Sequence, residues 1–485
     1  MPSAQQSARR SLRLALAAAA LALGGCSTLI PPYQRPAPPV AAAYPPEAMP
    51  TTASGGAAAA EIDWQRFFAD PRLSRLIALA IANNRDLRVA VLNIEQARAL
   101  YQVRRADELP SVGAGGTVSR TPVGTGVVTA YAVGFAVTGY ELDLFGRVHS
   151  LSQAALAQYF ATAEARKAVQ ISLVATVANA YLNLLADDEL LRVTRQTLES
   201  RVESTRLTKL RFENGVSSEV DFRQAESLLE GARATLVQAE RQRMLDENAL
   251  VLLVGQALPA DLPPPLPLDQ QQIPGDLPAG LPSDLLVRRP DIRASEQQLV
   301  AANANIGAAR AAFFPRISLT ANLGTASSEL SGLFKSGSFA FTGTAQLLQP
   351  IFDAGRNRAN LDVTLVNRDI AVAQYERSIQ TAFREVSDAL AGRATLGEQL
   401  RAQAAQTNAL AVAYRLSDLR YRAGAASFLD TLDAARALFA AQQLLVQTQA
   451  LRLQNLVTLY RVLGGGWNES AELAAGTTPS IPPPQ

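Results

Sequence analysis

The chain has 485 residues, enough for about three ordinary domains, and 45 basic against 43 acidic residues leave a formal charge of only +2. That balance gives no electrostatic reason to expect nucleic acid or a strongly acidic partner. One cysteine, Cys26, and one histidine, His149, permit no internal disulfide and no His/Cys zinc site.

Residues 1–25 read as a secretion signal. Arg9, Arg10 and Arg13 form a positive start, and Leu14 to Leu23 form an apolar run too short to span a bilayer as a helix. The signal ends in Leu23-Gly24-Gly25-Cys26, which resembles a bacterial lipobox, so Cys26 is the expected acylated N-terminus. Ser27 after it favours the outer membrane over retention in the inner one. Acyl chains anchor by burying methylenes, each contributing about 0.8 kcal/mol. Residues 26–70 carry Pro31-Pro32 and Pro45-Pro46, and proline cannot sustain a helix, so an extended arm over the protein surface is expected.

From residue 71 the chain is one unit written twice. Asn214-Gly215-Val216-Ser217-Ser218-Glu219-Val220-Asp221 returns as Ala423-Gly424-Ala425-Ala426-Ser427-Phe428-Leu429-Asp430, 209 residues on. The same spacing relates Gly146-Arg147 to Gly355-Arg356 and Gly255 to Gly464. The copies are set at 71–275 and 276–469, with a disordered tail expected over 470–485. Each begins with a helix, 71–108 or 286–313, stopped near Pro110 or Pro315. A strand pair follows: Tyr131, Val133, Phe135 and Val137 alternate with small residues, as do Ile317, Leu319, Ala321 and Leu323. Period two over about 9–11 residues fits a membrane β-strand.

Next comes a long proline-free helix, 147–213 or 356–422, then a turn at Gly215 or Gly424, then a returning helix to about 254 or 463. At 1.5 Å per residue the long helix measures about 100 Å. Such helices must pack side by side along seams such as Leu173, Val177, Ala180, Leu184 and Leu191. Four strands with lipid-facing side chains leave two unpaired edges, which a bilayer does not tolerate, so the chain must self-associate. His149 reads as a solvated helix-end residue rather than a catalytic base. No phosphate loop, GxGxxG or HExxH occurs. The chain is therefore read as a non-enzyme with no cofactor and no metal.

Several long runs carry a family resemblance: Glu141-Leu142-Asp143-Leu144-Phe145-Gly146-Arg147, Asn248 to Leu253, Gly280-Leu281-Pro282-Ser283-Asp284-Leu285-Leu286, Arg288-Arg289-Pro290-Asp291-Ile292, Ala301 to Pro315, and Leu463-Gly464-Gly465-Gly466-Trp467-Asn468. Through them the chain resembles the TolC-type outer-membrane factors, and among these the OprM-like lipoprotein branch. The resemblance implies an α+β membrane protein, a homotrimer whose 12-stranded transmembrane β-barrel, four strands per chain, continues into a long periplasmic α-helical barrel. It implies the exit channel of a tripartite resistance-nodulation-division pump that exports drugs and other small molecules. A periplasmic adaptor and an inner-membrane transporter are the implied partners, with outer-membrane lipid around the barrel. Two other readings are the outer-membrane duct of a type I protein secretion system and a structural lipoprotein spanning the periplasm by coiled coil. The alternating strand pairs argue against the last.

The residues that would do the work lie near the helical turns. Asp430 and Asp433, behind Leu429, are three apart and share a helix face. Taken alone, two acids near a helix start simply complement its dipole. The resemblance makes them a periplasmic gate, rings of carboxylates that repel one another and attract cations. Tyr421 and Asp221 match the family's latch, whose arginine falls on Ala426 here; Arg420, Arg422 and Arg436 are the nearby replacements. Tyr421 and Asp221 equally suit ordinary turn stabilisation. The turns at Gly215 and Gly424 are where the resemblance places the adaptor.

Overall fold

A computed structural model describes residues 28–44, 59–278, 280 and 282–467. Cys26, the signal before it and the tail over 470–485 lie outside them. The elements, in chain order, are α1 (Trp64–Phe67), α2 (Pro71–Asn83), α3 (Arg85–Ala106), β1 (Val112–Val123), β2 (Gly126–Leu142), α4 (Arg147–Glu213) and α5 (Glu219–Val254). They continue with α6 (Leu285–Arg288), α7 (Pro290–Ala311), β3 (Arg316–Ser327), β4 (Phe339–Leu348), α8 (Arg356–Arg422) and α9 (Phe428–Val462). Two compact units arise, and both copies of the repeat contribute to each.

The first unit draws on the chain up to Ala37, on Leu92–Glu164 and on Arg293–Arg377. Its centre is an antiparallel sheet in the order β1-β2-β3-β4. Strand lengths of 12, 17, 12 and 10 residues reach or exceed what a tilted membrane strand needs. Where β2 faces β3, Gly134 pairs with Gly324. A Cβ on either would strike the opposite backbone, so glycine alone lets the strands approach there. Every residue of β1 is exposed on both faces, and the outer edges of β1 and β4 pair with no other described strand.

The strand-to-helix passage in this unit explains one of the sequence runs. Glu141 accepts from Arg147 Nε and Nη2, both at 2.8 Å, and pairs with Arg316 at 2.6 Å. Asp143 accepts from the His149 backbone N–H at 2.7 Å, which ties down the first turn of α4. His149 itself is exposed and approaches Glu108 at 3.8 Å. The arm over residues 28–37 lies on α7. Arg35 forks onto Glu296 at 2.6 and 2.8 Å, Tyr33 donates to the same carboxylate, and Asn303 donates to the Pro31 carbonyl.

The second unit comprises Pro38–Val91, Ala165–Ile292 and the chain from Ser378. Its core holds Phe67 stacked on Tyr460 at 3.9 Å. Asp70 caps α2 through the N–H groups of Arg72 and Leu73 and also accepts from Tyr181 and Gln271. Of the expected seam on α4, Leu173, Val177, Leu184 and Leu191 are buried, while Ala180 is half-buried. Arg289, 7% exposed, is held between Asp291 and Glu385.

Two expected helices are each two helices. The pattern over 71–108 breaks at Asn84, whose side chain accepts from the Leu87 N–H and donates to the Leu253 carbonyl, both at 2.9 Å. The pattern over 286–313 breaks at Arg289, because Pro290 occupies the first position of α7 and pushes its predecessor out of the helical region. The long helices α4 and α8 have the expected bounds, 67 residues each.

Candidate functional site

The candidate gate is built at two helical hairpin tips, both in the second unit. Between α4 and α5 the chain turns on Gly215, at φ +71°. The N–H of Gly215 bonds the Phe212 carbonyl at 2.9 Å and that of Val216 bonds Arg211 at 2.8 Å. This pair of bonds satisfies the last carbonyls of α4 and requires the left-handed backbone that glycine adopts at least cost. Between α8 and α9 the device is the same. Gly424 sits at φ +74°, with Gly424 bonded to Tyr421 at 3.0 Å and Ala425 to Arg420 at 2.9 Å.

The returning helices start on serines. Ser218 accepts from the Asp221 N–H at 3.2 Å, and the Asp221 carboxylate answers by accepting from the Ser218 N–H at 3.3 Å. Ser427 accepts from the Asp430 N–H at 3.3 Å in the same way, but Asp430 returns no bond. Its carboxylate has no hydrogen-bond or ion-pair partner among the described residues.

Beyond this cap α9 separates into two faces. Phe428, Thr431 and Leu432 are buried. Phe428 and Leu432 pack with Ala225 of α5, and Leu228 and Tyr421 close against them. Leu429, Asp430 and Asp433 occupy the other, exposed face. Leu429 is 48% exposed although it is large and apolar. Asp433 pairs with Arg436 at 3.2 Å, an i,i+3 contact in solvent. The structure thus brings the three candidate gate residues together on one open helix face.

The two candidate latch residues are engaged elsewhere. Asp221 is used in its own cap, and the Tyr421 hydroxyl is buried without a hydrogen-bond partner. Tyr421 lies at 5.0 Å from the Phe428 ring, and the Arg211 guanidinium sits over its face at 4.7 Å. Of the arginines near Ala426, Arg422 pairs with Asp418, Arg436 pairs with Asp433, and Arg420 is exposed. Arg211 was missed in the sequence, where nothing local marks it. It and Tyr421 stand on different long helices, so only the fold joins them. Among the described residues no group of acids, histidines or cysteines could hold a metal ion.

The family model described as outer membrane efflux protein matches residues 76–256 and 281–465, the bodies of the two copies. The chain is 49% identical over 466 residues to the toluene efflux pump outer membrane protein TtgC of Pseudomonas putida, covering 94% of this chain and 96% of that one. The antibiotic efflux pump outer membrane protein ArpC of Pseudomonas putida matches to the same extent. Among solved structures, the open state of the Neisseria gonorrhoeae MtrE outer membrane channel superposes with a TM-score of 0.83 at 42% identity, over 91% of this chain and 98% of that one. This chain belongs to the outer membrane efflux protein family, and it serves efflux across the outer membrane.

Proposed function

We propose that three copies of this chain form the exit duct of a tripartite, RND-type efflux pump that carries antibiotics, solvents and other small organic molecules out of the periplasm. The observation that carries this reading is the open four-stranded sheet. Its outer edges pair with no other described strand and β1 is exposed on both faces, a state that hydrocarbon would penalise by several kcal/mol per unsatisfied backbone group. Joining sheets edge to edge removes the unpaired edges, and three copies make a closed barrel of 12 strands. Cys26 is the acylated anchor in the outer membrane.

At the periplasmic end Leu429, Asp430 and Asp433 of each copy line the narrow throat. Three free Asp430 carboxylates at the axis repel one another, attract cations and oppose anions. The tip stays closed until a periplasmic adaptor engages the turns at Gly215 and Gly424. An inner-membrane RND transporter supplies cargo through that adaptor. Cross-linking of the purified protein checks the assembly: a trimer supports it, and a monomer in detergent and in lipid refutes it. Single-channel conductance in a planar bilayer checks the gate. The wild type should conduct weakly with cation preference, and Asp430→Asn/Asp433→Asn should conduct more and lose block by polyvalent cations. An unchanged conductance and block would refute the gate.

A further inference from the structure

Behind the candidate gate, on the buried side of α9, the four long helices of the second unit line a half-open cavity of about 180 Å³. Its walls are mostly apolar, with Leu228, Leu432 and Phe439 among them, and none of its lining residues is acidic. One charge faces it, Arg201. Its Nη1 donates to the Leu228 carbonyl at 2.9 Å, its guanidinium lies 5.1 Å from the Phe439 ring, and its buried Nε has no partner. No carboxylate pairs with it among the described residues. Burial and the nearby Arg436 pull its pKa below the ordinary guanidinium value, as expected for a charge lacking compensation. Thr431, 5% exposed, lines the same cavity, and its hydroxyl also has no partner.

An arginine is not what this position needs for packing. The other copy of the repeat carries Leu410 there. Arg201 is half-buried, and its Nε, shut off from solvent and unpaired, lacks compensation unless something completes it. The Nε side of the fork is the edge that takes a carboxylate through two parallel bonds. An apolar cavity of about 150 Å³ accommodates benzene, so this one has room for a single ring bearing an acid group.

We propose that this cavity is a binding site for a small aromatic carboxylate, its acid group on Arg201 and Thr431 and its ring against Phe439 and Leu432. The site is separate from the exposed face that carries Asp430 and Asp433, and its test does not require the protein to conduct.

The test is ¹⁹F NMR titration of the full-length purified protein with 4-fluorobenzoate, and with 4-fluorobenzamide as a neutral twin of the same shape. The acid should bind saturably and at least tenfold more tightly than the amide. Arg201→Gln should weaken the acid at least tenfold and leave the amide unchanged, Thr431→Val should weaken it severalfold, and Ala435→Phe, which fills the cavity while keeping Arg201, should abolish binding. Should Arg201→Gln fail to fold, the acid–amide ratio and Ala435→Phe still decide. Equal affinity for acid and amide, retained binding in Arg201→Gln or Ala435→Phe, or no saturable binding of the acid would each overturn the proposal.

Discussion

The two hairpin tips are the same piece of chain used in two ways. Both turn on a left-handed glycine, and both start the returning helix on a serine. The residue three places on is aspartate in each, but Asp221 completes its cap while Asp430 leaves its carboxylate free. Val220, Asp221 and Gln224 in the first tip stand where Leu429, Asp430 and Asp433 stand in the second. Only the second tip therefore carries a pair of acids at these positions. One serine is enough to begin a helix, and a copy that relies on it alone releases an acid for other work.

Function should separate the tips most sharply. Asp430→Asn/Asp433→Asn is expected to raise single-channel conductance severalfold and abolish polyvalent cation block. Asp221→Asn should leave both close to wild type. Equal effects from the two tips would mean that the acids act through general charge rather than through the second tip. Stability should instead unite them. Gly215→Val and Gly424→Val each force a β-branched residue into the left-handed region, at a cost of about 1–2 kcal/mol. Thermal unfolding of the detergent-solubilised protein should show similar losses for both. A loss at one tip alone would show that the turns are not equivalent.

A smaller effect divides the caps. Asp221→Ala removes a reciprocal hydrogen bond and should cost about 0.5–1 kcal/mol, whereas Asp430→Ala should stay within about 0.5 kcal/mol of wild type. Comparable losses from both would mean that Asp430 supports the helix start after all. The difference between these acids could not be read in the sequence, where each stands three places after a serine. The turns themselves were legible, because glycine at the point of reversal and a long stretch free of proline leave few other structures. The bounds of α4 and α8 followed from the same signals. Asn84 was not legible, because its bond to the Leu253 carbonyl comes from a distant helix. Pro290 was a visible signal that the pattern over 286–313 should have been divided. Tyr421 is singled out by the resemblance, but its cover by Arg211 exists only in the folded tip.

The last effect depends on pH and lies midway along the first hairpin. Asp187 is buried beside Asp246, with Arg243 and Asp188 close by. Burial first, then the hydrogen bond and charge of Asp246, push its pKa up to about 7. The second hairpin carries Leu396 and Asn455 at these places, so it has no such pair. A raised folded-state pKa means that the folded chain holds this proton more tightly than the unfolded chain does. The resulting stability is fully present below the ordinary carboxyl range of about 4 and declines as pH rises to about 7. Asp187→Asn removes the titration, so its stability relative to wild type should climb through that window and level off above it. With screening by solvent and by Arg243, the climb should be on the order of 1 kcal/mol. Thermal unfolding from pH 4.5 to 8 measures it, and Leu396→Ala provides the comparison in the other hairpin. That variant loses packing and should differ from wild type by the same amount at every pH. If Asp187→Asn behaves likewise, the acid pair does not titrate in this window.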